Sequence, residues 1–168
     1  FRFNCIPKPA DFKSLWQEPN ILAQKFPAEE FMATSKITFT PNFDNEQFGL
    51  VVMGRSYSSL TVKQINGKLK LMQLSANKAD KGAEETVTEI TTLSNTTFYF
   101  RLTVQKGGKC QFYYSLDDKK YLKAGSEFLA SEGTWIGSKV GFVALREGII
   151  NNAGYADVDW FRVSKIEK

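Results

Sequence analysis

The residues best suited to chemistry in this sequence are carboxylates, because the chain contains no histidine. Without imidazole, Ser-His-Asp and Cys-His catalysis are excluded, as are the zinc and iron ligand sets that need it. Glu85 and Glu89 stand four apart on a predicted strand, so they point to the same face. A straight strand separates them by about 13 Å, whereas retaining hydrolysis of a glycosidic bond needs about 5 Å and inverting hydrolysis about 6.5 to 9.5 Å. Val87 stands between them, where some sandwich-type hydrolases carry a further carboxylate. The pair therefore reads as a solvated strand face. Asp157 and Asp159 also alternate along a predicted strand. With backbone oxygens from the N-terminal segment they suit a hard cation such as Ca²⁺; they equally suit a pairing with Arg162 or another base. No cofactor is expected to be required, and this structural Ca²⁺ site is the one metal candidate.

Aromatic side chains form the second group. Trp16, Tyr57, Trp135, Tyr155 and Trp160 suit either a flat platform for sugar stacking or core and interface packing. Trp135 lies in Glu132-Gly-Thr-Trp-Ile-Gly137, so a loop presents it between two glycines. It is the first candidate for an interface or sugar contact, with Tyr57 and Tyr155 beside it. Trp160, between Asp159 and Phe161, reads as core or half-buried. The spacing of Cys5 and Cys110 defines no disulfide; Cys110, inside a strand-like run, reads as a small buried hydrophobe.

The elements that must position these residues are strands. At 168 residues the chain suits one domain, and 42% hydrophobic content suffices for a core. Aromatics reach 14%, with 14 phenylalanines, a composition that fits pleated sheets. The net charge of +4 comes from scattered lysines and arginines rather than a stripe, so nucleic acid is not an expected partner. No apolar stretch approaches the roughly 20 residues of a membrane helix, and no membrane partner is expected. Pro7, Pro9, Pro19 and Pro27 mark residues 1–30 as an irregular segment packed on a sandwich, with Ser14–Trp16 and Ile21–Ala23 as brief strand candidates. Strand signals then follow at Thr34–Thr40, Phe48–Met53, Tyr57–Ile65, Lys68–Leu74, Glu85–Ile90, Thr97–Gln105, Lys109–Ser115, Tyr121–Lys123, Lys139–Leu145 and Tyr155–Val163. Asn66-Gly67 and Gly107-Gly108 mark hairpins and Asp117-Asp118 a turn. No amphipathic helix is predicted. The pattern is an all-β, antiparallel sandwich or barrel. Phe1-Arg-Phe reads as the interior of a longer polypeptide.

The run Gly133-Thr-Trp-Ile-Gly-Ser-Lys-Val-Gly-Phe-Val143 followed by Gly154-Tyr-Ala-Asp-Val-Asp-Trp-Phe-Arg-Val163 resembles the end of family 43 β-xylosidases and arabinofuranosidases. Phe31–Pro41, Gln47–Tyr57 and Phe112–Asp118 are similar to earlier segments of the same family, so the resemblance covers roughly residues 15–163. It implies a concanavalin A-like antiparallel β-sandwich (jelly roll) over 31–168. It implies further that the reaction belongs to a separate five-bladed propeller, N-terminal to the sandwich and absent from this chain. In several members a loop aromatic of the sandwich closes the sugar pocket, and Gly-Thr-Trp-Ile-Gly aligns with that contact. The Pro-rich first segment and Lys119 after Asp118, where glycine is usual, depart from the family pattern. Two functional classes follow. One is an accessory module that docks on a catalytic partner; the other is a carbohydrate-binding module that holds xylan or arabinan. An autonomous glycosidase would need a close carboxylate pair in a cleft. A periplasmic or extracellular bacterial setting is the expected one.

Overall fold

The computed structural model describes residues 1–18, 20–148 and 152–166, so Pro19 lies outside the described residues. Among the described residues thirteen strands run in chain order: β1 Arg2–Asn4, β2 Ile6–Pro7, β3 Leu22–Lys25, β4 Phe31–Thr40, β5 Gln47–Met53, β6 Tyr57–Ile65, β7 Lys68–Ala76, β8 Thr86–Leu93, β9 Thr97–Gln105, β10 Lys109–Ser115, β11 Leu122–Leu129, β12 Lys139–Arg146 and β13 Tyr155–Ser164. Two short 3₁₀ turns cover Leu15–Gln17 and Ala79–Lys81. The strands form two sheets. A six-stranded sheet has the order β1-β13-β4-β9-β10-β11; a seven-stranded sheet has the order β2-β12-β5-β6-β7-β8, with β3 also on β12. All pairs are antiparallel except β2 with β12. This is the two-sheet, mainly antiparallel sandwich that the resemblance implies.

Local chemistry explains the hairpins. Asn66 and Gly67 both have positive φ, at 50° and 68°, which matches the turn twist to that of β6 and β7. The β10–β11 turn is held by Asp117, whose Oδ1 accepts from the Lys119 and Lys120 backbone N–H groups and the Ser115 hydroxyl. Those bonds hold the Asp117 carboxyl down to about 2. β13 departs from simple alternation: Val158 pairs with Ile37 and Trp160 with Lys36, so Asp159 has no partner on β4.

The core lies between the inner faces of the sheets. Phe48 and Phe142 of the seven-stranded sheet stack at 5.5 Å, and Phe3 and Phe161 of the six-stranded sheet pack on them at 5.4–5.8 Å. Cys5 and Cys110 are both buried and free, and burial pushes both thiols up to about 12, which leaves them unreactive hydrophobes.

The seven-stranded sheet is also buried on its outer face. Val51, Ser59, Thr61, Val143 and Leu145 on that side are all buried. The first 25 residues cover much of it, with Ile6, Phe12, Leu15 and Ile21 packed around Val51, Tyr57, Val143 and Leu145. These residues are more than an irregular lead-in: β1 joins one sheet, and β2 and β3 share the free edge of β12 in the other. Close contact is required there, since a Cβ on Gly141 would lie 2.1 Å from the Leu22 carbonyl oxygen.

One buried carboxylate ties a loop to the sandwich. Glu46, fully buried, accepts from the backbone N–H groups of Asn42 (2.6 Å), Phe43 (3.0 Å) and Gly154 (2.6 Å). A Glu46→Ala variant strands those donors and is expected to lose about 3 kcal/mol of unfolding free energy, measured by urea titration; an unchanged midpoint would mean that water replaces the carboxylate.

Candidate functional site

The candidate site is built at the end of the sandwich where β5 finishes and β12 begins. Between β11 and β12 the chain forms a pinned loop. The Ser138 hydroxyl donates to the Ser131 carbonyl at 2.8 Å and closes its base; Gly133 N–H donates to the Ile136 carbonyl at 2.8 Å and tightens its tip. Arg55 N–H bonds the Glu132 carbonyl from the β5–β6 turn. A side chain on Gly54 would strike Ser131, so the loop can lie this close only over glycine. The constrained tip presents Trp135 with 92% of its surface exposed.

The 3₁₀ turn Leu15–Gln17 brings a second tryptophan to the same place. Leu15 is buried in the outer-face cluster and its N–H donates to the Tyr57 hydroxyl at 3.1 Å, so neighbouring Trp16 faces outward at 36% exposure. Trp16, Met53, Trp135, Ile136 and Lys139 line a cleft of about 270 Å³. A second hollow of about 310 Å³ continues from it past Trp16, Met53 and Lys139 to Glu18 and Ile21. The surface is thus mainly apolar, with one ammonium and one buried carboxylate at its margin. No local pattern joins the two tryptophans, since a hydrogen bond between residues 42 positions apart makes the link.

Tyr57 requires correction as a surface contact. It is fully buried beneath the N-terminal segment, and its hydroxyl donates to Glu85 Oε2 at 2.5 Å while accepting from Leu15 N–H. Burial, then the Glu85 charge and the hydrogen bond to it, raise the phenol above its ordinary value. Burial likewise raises Glu85, against the opposing pull of Tyr57 and of the Lys8 and Lys63 charges. Lys8, over the Phe12 ring at 4.6 Å, is lowered by its own burial. Glu85 therefore clamps the N-terminal segment, an arrangement reinforced by its N–H donating to the Lys13 carbonyl at 3.1 Å. Glu89 is an exposed strand residue paired with Lys70 at 2.7 Å. The two glutamates have separate partners.

The aspartates of the expected cation site are likewise engaged by side chains of this chain. Asp157 accepts two bonds from the Arg2 guanidinium, at 2.7 and 2.8 Å, which lower its pKa, while Asp159 pairs with Lys36 at 2.7 Å. Asp159 has no partner on β4 at the β13 bulge, and each carboxylate has a cation of its own. Among the described residues no group of three or more His, Cys, Asp or Glu side chains is placed to hold a metal ion. Tyr155 is half-buried beneath Arg2, 3.8 Å from its ring centroid, and lies away from the Trp135 cleft. Trp160 is half-buried on the outer side of the six-stranded sheet, opposite Lys36.

Residues 8–164 match the β-xylosidase C-terminal concanavalin A-like domain family, and the chain belongs to it. A β-xylosidase of Formosa agariphila is 27% identical over 154 residues, which are 87% of this chain and 23% of that protein. Among solved structures, a family 43 protein of Bacillus licheniformis aligns at a TM-score of 0.75 with 20% identity, over 98% of this chain and 32% of its own. A bifunctional family 43 protein of Bacteroides eggerthii aligns at 0.80 with 22% identity, over 99% and 21% respectively. The xylan β-1,4-xylosidase of Bacillus halodurans aligns at 0.74 with 14% identity, over 98% and 32%. The chain thus spans about a quarter of the curated relative and corresponds to a domain of larger family 43 proteins.

The Tyr57–Glu85 clamp has a defined pH signature. Because the folded pKa of Glu85 is raised, its contribution is fully present below the ordinary glutamate value near 4.3 and is lost as pH rises through the elevated folded value. A Glu85→Gln variant is therefore expected to gain stability relative to the parent between mildly acidic and neutral pH, read from melting temperatures across that range. A difference that stays flat with pH would show Glu85 to be ionised at no cost. Tyr57→Phe, which orphans both Leu15 N–H and the carboxylate, is expected to cost about 1–3 kcal/mol by denaturant titration.

Proposed function

We propose that this chain is a non-catalytic accessory module of a family 43 glycosidase of the xylosidase or arabinofuranosidase type, acting in plant polysaccharide degradation. In this reading it docks on an N-terminal five-bladed propeller of the same polypeptide and helps complete that domain's sugar pocket. The observation that carries the reading is Trp135: a large ring, 92% exposed, held out by a loop that its own hydrogen bonds make rigid. An isolated soluble domain gains nothing from such a ring in water, whereas tryptophans of this kind dominate interface energetics. Trp16 and Ile136 extend the apolar surface around it.

Other features agree with a division of labour. Glu85 is engaged in holding the N-terminal segment and Glu89 is paired with Lys70 on an exposed strand, so each has a structural partner. The relatives whose names specify an activity are several times longer than this chain, which leaves room for the reacting domain elsewhere. The xylan named for the Bacillus halodurans relative supplies the expected polymer.

Two measurements test this. The isolated 168-residue chain is expected to hydrolyse no aryl xyloside or arabinoside; turnover that persists through purification and disappears with Glu85→Gln or Glu89→Gln would overturn the non-catalytic assignment. In a polypeptide carrying both domains, Trp135→Ala is expected to raise KM or to weaken docking by about 2 kcal/mol, while the isolated sandwich keeps its melting temperature. If instead the sandwich melts early and the kinetics of the folded fraction are normal, Trp135 serves packing alone.

A further inference from the structure

The two sheets treat their outer faces differently. That of the seven-stranded sheet is buried under the N-terminal segment, whereas that of the six-stranded sheet carries half-buried rings and exposed or half-buried cations. Register places these side chains in rows. Arg162, Thr34, Arg101 and Tyr113 stand opposite one another on β13, β4, β9 and β10, and the next row holds Trp160, Lys36 and Tyr99. The rows are joined: Arg162 lies 4.3 Å above the Trp160 ring, and Trp160 and Tyr99 have ring centroids 6.1 Å apart. Arg101 lies 3.4 Å above the Tyr121 ring and donates to the Thr34 hydroxyl at 3.2 Å.

The charges on this face do not balance. Asp157 is taken by Arg2 and Asp159 by Lys36. Among the described residues no carboxylate lies within ion-pair distance of Arg162 or Arg101. Two guanidiniums therefore stand on strands separated by one intervening strand, roughly 10 Å apart at the backbone, each laid against an aromatic ring with its remaining N–H donors unmatched by a carboxylate. Stacking fixes the plane of a guanidinium, and a fixed fork favours two parallel bonds to a planar carboxylate over a point charge. The adjoining rings offer apolar faces suited to the C–H face of a sugar.

We infer that the outer face of the six-stranded sheet binds an acidic oligosaccharide, with Arg162 and Arg101 taking uronate carboxylates and Trp160, Tyr99 and Tyr113 packing on the sugar rings. This surface is distinct from the Trp135 cleft and requires no docking partner. The xylan backbone of one probe rests on the function proposed above; the carboxylate requirement does not.

The test titrates the 168-residue chain by calorimetry with a glucuronic acid-branched xylooligosaccharide, its carboxyl-reduced counterpart, oligogalacturonate and a polyglutamate peptide of similar charge. Binding of a uronate glycan is expected to be about tenfold tighter than that of the reduced form, the equivalent of one charge-assisted bond, and to weaken as salt rises. Arg162→Lys keeps the charge but removes the fork, and is expected to lose most of that preference, as is Trp160→Ala. Trp135→Ala is expected to leave affinity unchanged. Oligogalacturonate binding without the xylan probe would sustain this inference and count against the xylan assignment. Equal affinity for charged and reduced sugars, binding of polyglutamate alone, no binding of any probe, or indifference to Arg162→Lys in a variant that melts normally would each overturn it.

Discussion

The constraint on which the rest of the structure depends is that the seven-stranded sheet is apolar on both faces. One face meets the other sheet through the phenylalanine cluster; the other must be covered from elsewhere in the chain. Residues 5–25 supply the cover, and in doing so they set most of what is distinctive here. Leu15 must sink onto Val51 and Val143, which fixes Trp16 at the rim. β3 must lie on β12, which requires Gly141. A sheet roofed in this way cannot also serve as an open groove for ligand, so any binding is displaced to the end of the sandwich or to the opposite sheet.

That roof also brings polar groups into a dry place, and burial there is satisfied locally. Tyr57 and Glu85 complete each other's hydrogen bonding and hold the covering segment by its backbone. A buried polar pair of this kind specifies position as much as it stabilises, since neither group can be left alone without a penalty. The same residues on an uncovered strand would have been an ordinary tyrosine and an ordinary surface glutamate.

The sequence was legible where structure is local. β6, β9 and β10 have the predicted bounds because Asn66-Gly67 and Gly107-Gly108 dictate their turns and alternation marks their faces. β11 was glimpsed only at its start, because Gly125 takes a φ of 70° and the register slips beside it, breaking the period that marks a strand. β1 and β2 are two or three residues long and exist through partners some 140 to 155 positions away, which no local window contains. The candidate site divides in the same way. Trp135 was readable from its flanking glycines. Tyr57 reads as a surface residue because an alternating strand looks the same whether its second face is wet or roofed, and Asp157 and Asp159 read as a pair because local alternation does not reveal the separate cations, Arg2 and Lys36, that engage them.

Among the described residues, β8 ends the seven-stranded sheet with one side unpaired. Its residues, Thr-Val-Thr-Glu-Ile-Thr-Thr-Leu, are nearly all β-branched, and Val87 is 60% exposed. An open backbone edge of that composition is a template for another strand, from a second molecule or a partly unfolded one. Glu89 stands in the middle of it as the single charge, and its pairing with Lys70 on β7 leaves little net charge to repel an incoming copy. Handled alone at high concentration, the domain therefore carries its own seed for edge-to-edge assembly, and its colloidal behaviour depends on what shields one eight-residue strand.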